Sequence, residues 1–429
     1  MGPAKRAVET EDTKMAKTAR IGTDERTRVM SPDIHDIHDI HQRTQKDTND
    51  DTHDTHDTQK NDSFLVRGGL GVTRARRMTD SRARASDGAS LRATLRRDGY
   101  ALLRGFLDAR DVERARAVAL EALAASKPDV FLEKEKGLLR PDARALGLLS
   151  RQDVAARAEI QKVTECDALF DVAARVLFSD DDDDDDGDDD GLDAKTRCKD
   201  STRTERSSNP SPRLAMTTAY KWLRAVAGGE FTGVHTDRVF LGGGSGRLVT
   251  AWIPLGDVRV ADGALMVAAG SHADATFAGV RRTYGASAAG ADGARSGWLT
   301  DDAAAVLDVA RRANREAPRG AAARAVGESE ARHVGNRRIF TSEENVSEEN
   351  VSETIDWRTC DFRSGDVVLL APDVAHMSTT NVSGEEAKSG AARARVSVDT
   401  RWQPEGDEPD PRVRVWRRRR EGVVETVTL

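Results

Sequence analysis

The chain has 429 residues, enough for one large domain or two or three ordinary ones, and a formal net charge of −7. Charged residues make up 32% and aromatic residues only 4%, so apolar material must be concentrated in part of the chain. The acidic balance leaves no footprint for nucleic acid, no run approaches the roughly 18 apolar residues of a membrane helix, and three scattered cysteines form neither a CxxC pair nor a disulfide framework.

Residues 1–86 read as a disordered low-complexity tail. Ile34-His-Asp-Ile-His-Asp-Ile-His41 and Asp51-Thr-His-Asp-Thr-His-Asp57 repeat every three residues. Such polar repeats bury too little apolar surface to offset ordering entropy. Metal capture by His35, His38, His41, His53 and His56 is the functional alternative, but a tract without fixed geometry is a weak ligand set. Cysteine usage and the lack of an apolar leader give the expectation of an intracellular, cytoplasmic protein. An organelle address in the tail is left open.

A folded domain is expected over 87–410. Gly99-Tyr-Ala-Leu-Leu-Arg-Gly-Phe106 reads as a strand after a short helix. Asp108 sits at an N-cap, and Val112, Ala115, Ala119 and Leu123 mark one face of the helix that follows. A second helical region covers 151–178. The acidic run that follows, within 179–213, reads as a disordered surface insertion, because like charges at this density repel and stay hydrated. From Leu214 short strand-like runs alternate with Gly and Asp turns, the pattern of an antiparallel barrel or sandwich. Residues 279–355 read as a long connection, part lid and part disordered. Strands then resume with Asp366-Val-Val-Leu-Leu370 and with the alternating Arg395-Val-Ser-Val-Asp-Thr-Arg-Trp402. On the latter Arg395, Ser397, Asp399 and Arg401 share one face, and a polar inner face in a barrel means a wet, functional interior. Residues 411–429, with the run Arg417–Arg420, read as an exposed basic segment.

The chemistry centres on Phe231-Thr-Gly-Val-His-Thr-Asp-Arg238. In an extended segment His235 and Asp237 point to one face. Imidazole plus carboxylate is two-thirds of the 2-His-1-carboxylate triad that holds Fe(II) with open positions on one side. His376, at the end of a later strand, is the third member. Arg395 follows on the next strand, and its bidentate fork suits a dicarboxylate co-substrate. Arg393 competes for that role. Gly228, Gly229 and Gly233 before His235 would let backbone approach a ligand closely. Arg224, Arg238 and Arg401 are candidates to meet an anionic substrate.

From Leu91 to Gln403 the chain resembles the phytanoyl-CoA dioxygenase family of Fe(II)/2-oxoglutarate oxygenases. The resemblance rests on Asp98-Gly-Tyr-Ala-Leu-Leu-Arg-Gly-Phe-Leu107, Gly233-Val-His-Thr-Asp237, Thr250-Ala-Trp-Ile-Pro-Leu255, Gly263-Ala-Leu with Gly270-Ser-His272, Gly365-Asp-Val-Val-Leu through His376, and Arg395-Val-Ser-Val-Asp-Thr-Arg401. It implies a mainly β fold with flanking helices, built on a double-stranded β-helix (jelly-roll) core. It implies Fe(II), 2-oxoglutarate and O2, with metal ligands His235, Asp237 and His376 and the far carboxylate of 2-oxoglutarate on Arg395. Trp252 and Ser378 match positions lining the co-substrate pocket, and Lys221 is a further candidate there. His272 is expected to be structural. The implied reaction is hydroxylation of a small-molecule or acyl substrate with release of succinate and CO2. The alternatives are an inactive jelly-roll binder, a cupin-type metalloenzyme that does not use 2-oxoglutarate, and an interaction protein working through its His and Asp tracts. The polar insertion between His376 and Arg395 is longer than usual in the family.

Overall fold

A computed structural model describes residues 63–149, 151–178, 214–241, 243–284, 297–316 and 354–428. The histidine repeats, the acidic run at 180–190 and, within the 279–355 connection, residues 285–296 and 317–353 lie outside the described residues.

In chain order the elements are β1 (Ser63–Gly68), β2 (Gly71–Arg77), α1 (Gly88–Asp98), β3 (Tyr100–Leu103), α2 (Ala109–Ser126), β4 (Phe131–Glu133), β5 (Leu138–Leu139), α3 (Ala158–Thr164) and α4 (Asp167–Leu177). There follow β6 (Ala215–Thr218), β7 (Trp222–Val226), β8 (Val249–Pro254), β9 (Leu265–Ala268), α5 (Ala278–Thr283) and α6 (Val306–Glu316). The closing strands are β10 (Trp357–Thr359), β11 (Val367–Leu370), β12 (His376–Ser378), β13 (Arg395–Pro404), β14 (Val415–Arg420) and β15 (Val423–Thr428).

Two sheets carry the fold. One runs β1-β2-β10-β9-β12; the other runs β15-β14-β6-β13-β8-β11-β3, with β7 also paired to β13. Pairing is antiparallel except between β10 and β2. The chain passes repeatedly from one sheet to the other, as in a jelly roll: β8 lies in the larger, β9 and β10 in the smaller, β11 in the larger, β12 in the smaller and β13 in the larger. Alternation decides what each face buries. Along β13, Val396, Val398 and Trp402 join the main core, where the ring of Trp402 meets Phe170 of α4 edge-on at 4.8 Å. The opposite face of the same strand carries Arg395, Ser397, Asp399 and Arg401, all buried between the sheets.

Local signals set the helices. Asp87 caps α1 by accepting from the amides of Ala89 and Ser90, and Gly99 closes it at φ 75°, a left-handed conformation open to glycine. Asp108 caps α2 in the same way, and Val112, Ala115, Ala119 and Leu123 are its buried stripe, as their spacing predicts.

Two boundaries differ from expectation. β1 and β2 lie inside the stretch expected to be tail, with Val66 and Ala75 buried against Met266, Met377 and Trp357. Arg74, Arg76 and Arg77 in β2 hide its strand character from a compositional reading. The C-terminal basic segment is also ordered. β14 and β15 extend the larger sheet, and Trp416 is fully buried. Each arginine of the run meets a carboxylate: Arg417 meets Glu165, Arg418 meets Glu405 and Glu425, Arg419 meets Asp167 and Asp171, and Arg420 meets Glu405.

Candidate active site

His235 and His376 pair across the two segments that bear them. Each backbone N–H donates to the carbonyl of the other at 2.9 Å, the arrangement of a closely hydrogen-bonded antiparallel bridge. Residues opposed in this way put their side chains on one face, and the ring centroids stand 4.2 Å apart. Val234 is buried in the smaller core and Asp237 lies at the turn into the helix Arg238–Leu241, which brings its carboxylate beside the imidazole of His235. Donor atoms of His235, Asp237 and His376 all lie within 4.8 Å of one another, and all three residues are buried.

The partners of these groups prepare them for a cation. The Nδ1 of His235 faces the Gly233 carbonyl at 2.8 Å, and the Nδ1 of His376 faces the Val374 carbonyl at 3.0 Å. A ring nitrogen against a carbonyl must carry a proton, so Nε2 is the nitrogen that each ring can offer to a cation. Burial, with His376 and Arg224 close by, holds His235 well below the usual imidazole pKa, so it is neutral. Burial pushes the Asp237 carboxyl up, but the Arg401 guanidinium above all, with the Thr250 hydroxyl assisting, holds the group below the usual carboxylate range. Its Oδ1 accepts from Arg401 Nη2 at 2.6 Å and its Oδ2 from the Thr250 hydroxyl at 2.5 Å. Two imidazole lone pairs and one carboxylate, converging in a buried place, fit a divalent iron with an open side.

Arg395 lies at the start of β13 on the inner face. Nε donates to the Gly263 carbonyl at 3.0 Å and Nη1 to the Ser397 hydroxyl at 2.6 Å. Among the described residues it has no ion-pair partner, although it is only 3% exposed. Burial, with Arg224 adding to it, draws its pKa down to about 10, so it remains a cation at neutral pH. A buried, unpaired guanidinium is costly unless an anion completes it. Arg393 is exposed, and its carbonyl accepts from the Asn381 side-chain amide. Burial thus separates the two candidates. Trp252 stands directly across from Asp399 on the inner face of β8, edge-on to Phe362 at 4.8 Å. Ser378 shares the face of His376, and its hydroxyl accepts from the Thr232 amide at 2.8 Å.

Several expectations change. Lys221 does not face Asp237 or Arg395. Its ammonium contacts Thr400, on the outer face of β13, at 3.1 Å, the Thr218 carbonyl at 2.7 Å and Glu165 at 3.1 Å. Three of its atoms' neighbours are sheet and helix groups on the far side from Asp237, so it ties the helical layer to the sheet. Arg238 is paired with Asp373 at 2.9 Å, Arg401 with Asp237, and Arg224 with Asp399 at 3.4 Å, so all three candidates for an anionic substrate already have carboxylate partners. Gly233 makes room for protein and not for ligand: a Cβ there would meet the indole of Trp298 at 2.5 Å. His272 is structural, with Nε2 against the Arg96 carbonyl at 2.9 Å. Thr250 and Trp222 complete the surroundings of Asp237 and Arg401; Thr250 opens one of the motifs quoted above, but nothing in that motif assigns it a role, and Trp222 carries no motif. Only the register of β8 and β7 on β13 reveals them.

The family profile described as "Phytanoyl-CoA dioxygenase (PhyH)" matches residues 95–389, more than half of the chain. A search of curated proteins finds no match. Among solved structures the chain is similar to the non-heme alpha ketoglutarate dependent carbocyclase SnoK from nogalamycin biosynthesis, at 14% identity over 78% of this chain and 90% of that one, with a TM-score of 0.40. It is similar also to EctD from S. alaskensis, solved with 2-oxoglutarate and 5-hydroxyectoine, at 15% identity over 81% and 85%, with a TM-score of 0.35. Among the described residues no helix is long and apolar enough to cross a membrane.

Proposed function

This chain belongs to the phytanoyl-CoA dioxygenase family of Fe(II)- and 2-oxoglutarate-dependent oxygenases, and on that premise we propose that His235, Asp237 and His376 are its iron ligands, that Arg395 anchors 2-oxoglutarate, and that it hydroxylates a small-molecule or acyl substrate. The observation that carries the reading is the convergence of the three donor groups within 4.8 Å, both imidazoles held in one tautomer.

When bound, iron and 2-oxoglutarate supply O2 activation, with succinate and CO2 as co-products. The residues bind and orient. His235 and His376 offer Nε2 from rings fixed by their own backbone, so little side-chain freedom is lost on binding. Asp237 brings the one negative charge of the set. With the carboxylate position filled, hydroxylation is favoured over halogenation. Arg395 offers its guanidinium to a carboxylate in a buried place where the pairing is little screened by water. Ser378, beside His376, and Trp252, across from Asp399, wall the space between anchor and ligands. Burial of all these groups excludes water from the reacting centre.

The test is anaerobic addition of Fe(II) and 2-oxoglutarate to the purified protein, watching for the visible charge-transfer band of chelated 2-oxoglutarate. The band is expected in wild type, absent in His376→Ala, and shifted to much higher 2-oxoglutarate in Arg395→Ala. A folded wild-type protein that gives no band would sink the reading and favour a jelly-roll binder.

A further inference from the structure

Among the described residues Arg401 is the one charged side chain with two buried polar atoms that lack a hydrogen-bond partner. Its side chain is fully buried, and its guanidinium carbon lies 3.4 Å from the ring centroid of Trp222. Of its three nitrogens only Nη2 has a hydrogen-bond partner, the Oδ1 of Asp237. Nε and Nη1 are buried without one, and the next carboxylate, Asp399, stands 4.0 Å away. Leaving two buried donors unsatisfied costs stability. A residue kept solely to hold the sheet together would be better placed with those donors used. What Arg401 does make is one short, charged hydrogen bond to the carboxylate beside two histidine donors.

We infer that Arg401 is a positioning residue for Asp237, an inference that rests on the metal assignment above. Arg401 and Thr250 each hold one oxygen of the carboxylate. Asp237 cannot turn about its Cβ–Cγ bond without breaking one of these bonds, so its remaining lone pairs have a set direction before any ion arrives. Trp222 restrains the guanidinium by stacking on its face. β13 thereby has two arginines with separate duties: Arg395, without an ion-pair partner, faces the co-substrate, and Arg401, already engaged, sets a ligand.

The experiment measures Co(II) binding by its visible d–d absorption in wild type, Arg401→Met and Arg401→Lys, with circular dichroism as the check of fold. Outer partners of metal ligands typically contribute about 10–100-fold in metal affinity. Arg401→Met is expected to weaken Co(II) binding by about that factor and to alter the d–d envelope, with Arg401→Lys intermediate. Wild-type affinity and an unchanged spectrum in Arg401→Met would overturn the inference while leaving the metal assignment standing. If wild type itself binds no Co(II), the assignment fails and this inference with it. A second measurement keeps Arg401 in place, in case its replacement does not fold. In Asp237→Ala, added formate should restore Co(II) binding saturably, because Arg401 and Thr250 still offer donors to a carboxylate. No effect of formate there would also overturn the inference.

Discussion

The amides and carbonyls of His235 and His376 bond each other directly, at 2.9 Å in both directions, so the two imidazoles of the candidate centre are fixed by backbone before any side-chain contact is counted. Each ring is then turned by the carbonyl two residues before it in its own segment. The geometry of the site is thus a property of the pairing between two segments 141 positions apart in the chain, from the difference between 376 and 235.

The two arginines that compete for the co-substrate should behave differently. Arg395→Ala removes a buried cation on the inner face of β13, and truncating one partner of such a pair costs about 2–5 kcal/mol, or about 30-fold or more in the 2-oxoglutarate needed for half-saturation. Arg393→Ala, at an exposed position, should leave that concentration unchanged. Titration of the charge-transfer band with 2-oxoglutarate in both variants decides the matter.

Lys221 should matter to stability and not to co-substrate. Burial lowers its pKa from the ordinary 10.5 to about 8, with Glu165 opposing the shift. Between these two pH values the unfolded chain holds the proton that the folded protein has released. More protons on the unfolded state means stability rises with pH across that window. Relative to Lys221→Met, wild type should therefore gain stability from pH 8 to 10.5, read from urea unfolding midpoints. Half-saturation by 2-oxoglutarate at pH 7 should be the same in both; a large rise in the variant would make Lys221 a co-substrate contact after all.

Gly233→Ala should destabilise. The added Cβ would fall 2.5 Å from two ring carbons of Trp298 and 3.0 Å from the Thr300 carbonyl oxygen, and the chain here is hydrogen-bonded to Thr300 through Val234. Overpacking of this kind costs about 1–3 kcal/mol. Thermal unfolding checks it, and an unchanged midpoint would mean that the 297–300 segment yields freely.

Two truncations separate the tail from the fold. A chain starting at residue 63 keeps every described strand and should unfold at the wild-type temperature with its charge-transfer band intact. A chain starting at residue 87 loses β1 and β2, and with them Val66 and Ala75 from the smaller core. Its loss should exceed that of one large-to-small core substitution, about 2–5 kcal/mol. Equal midpoints for the two truncations would show that the β1–β2 hairpin contributes nothing to the sheet.

What could be read from the residues alone was what local pattern carries. The alternation of Arg395–Trp402 predicts which face is polar, and His-x-Asp predicts two groups on one side of an extended segment. The Asp108 cap and the stripe after it predict a helix. The order of degenerate motifs from Asp98 to Arg401 points to the family. These depend on spacing within a few residues, where backbone geometry is set by near neighbours. Tertiary structure decided everything that depends on pairing across the chain. Lys221 and Arg401 are both basic residues beside tryptophans in strand-like runs. One contacts the outer face of β13 and pairs with Glu165, while the other lies on its inner face and holds Asp237. Alternation places Arg401 on the polar face of its strand, but no local signal names its partner or that of Lys221, because a side chain's partner is set by strand register, and one residue of register exchanges the two faces. The arginines of β14 read as a solvated segment for the same reason: apart from Glu425 on the neighbouring β15, the carboxylates that meet them come from the α3–α4 region and from the loop after β13, which only folding brings alongside.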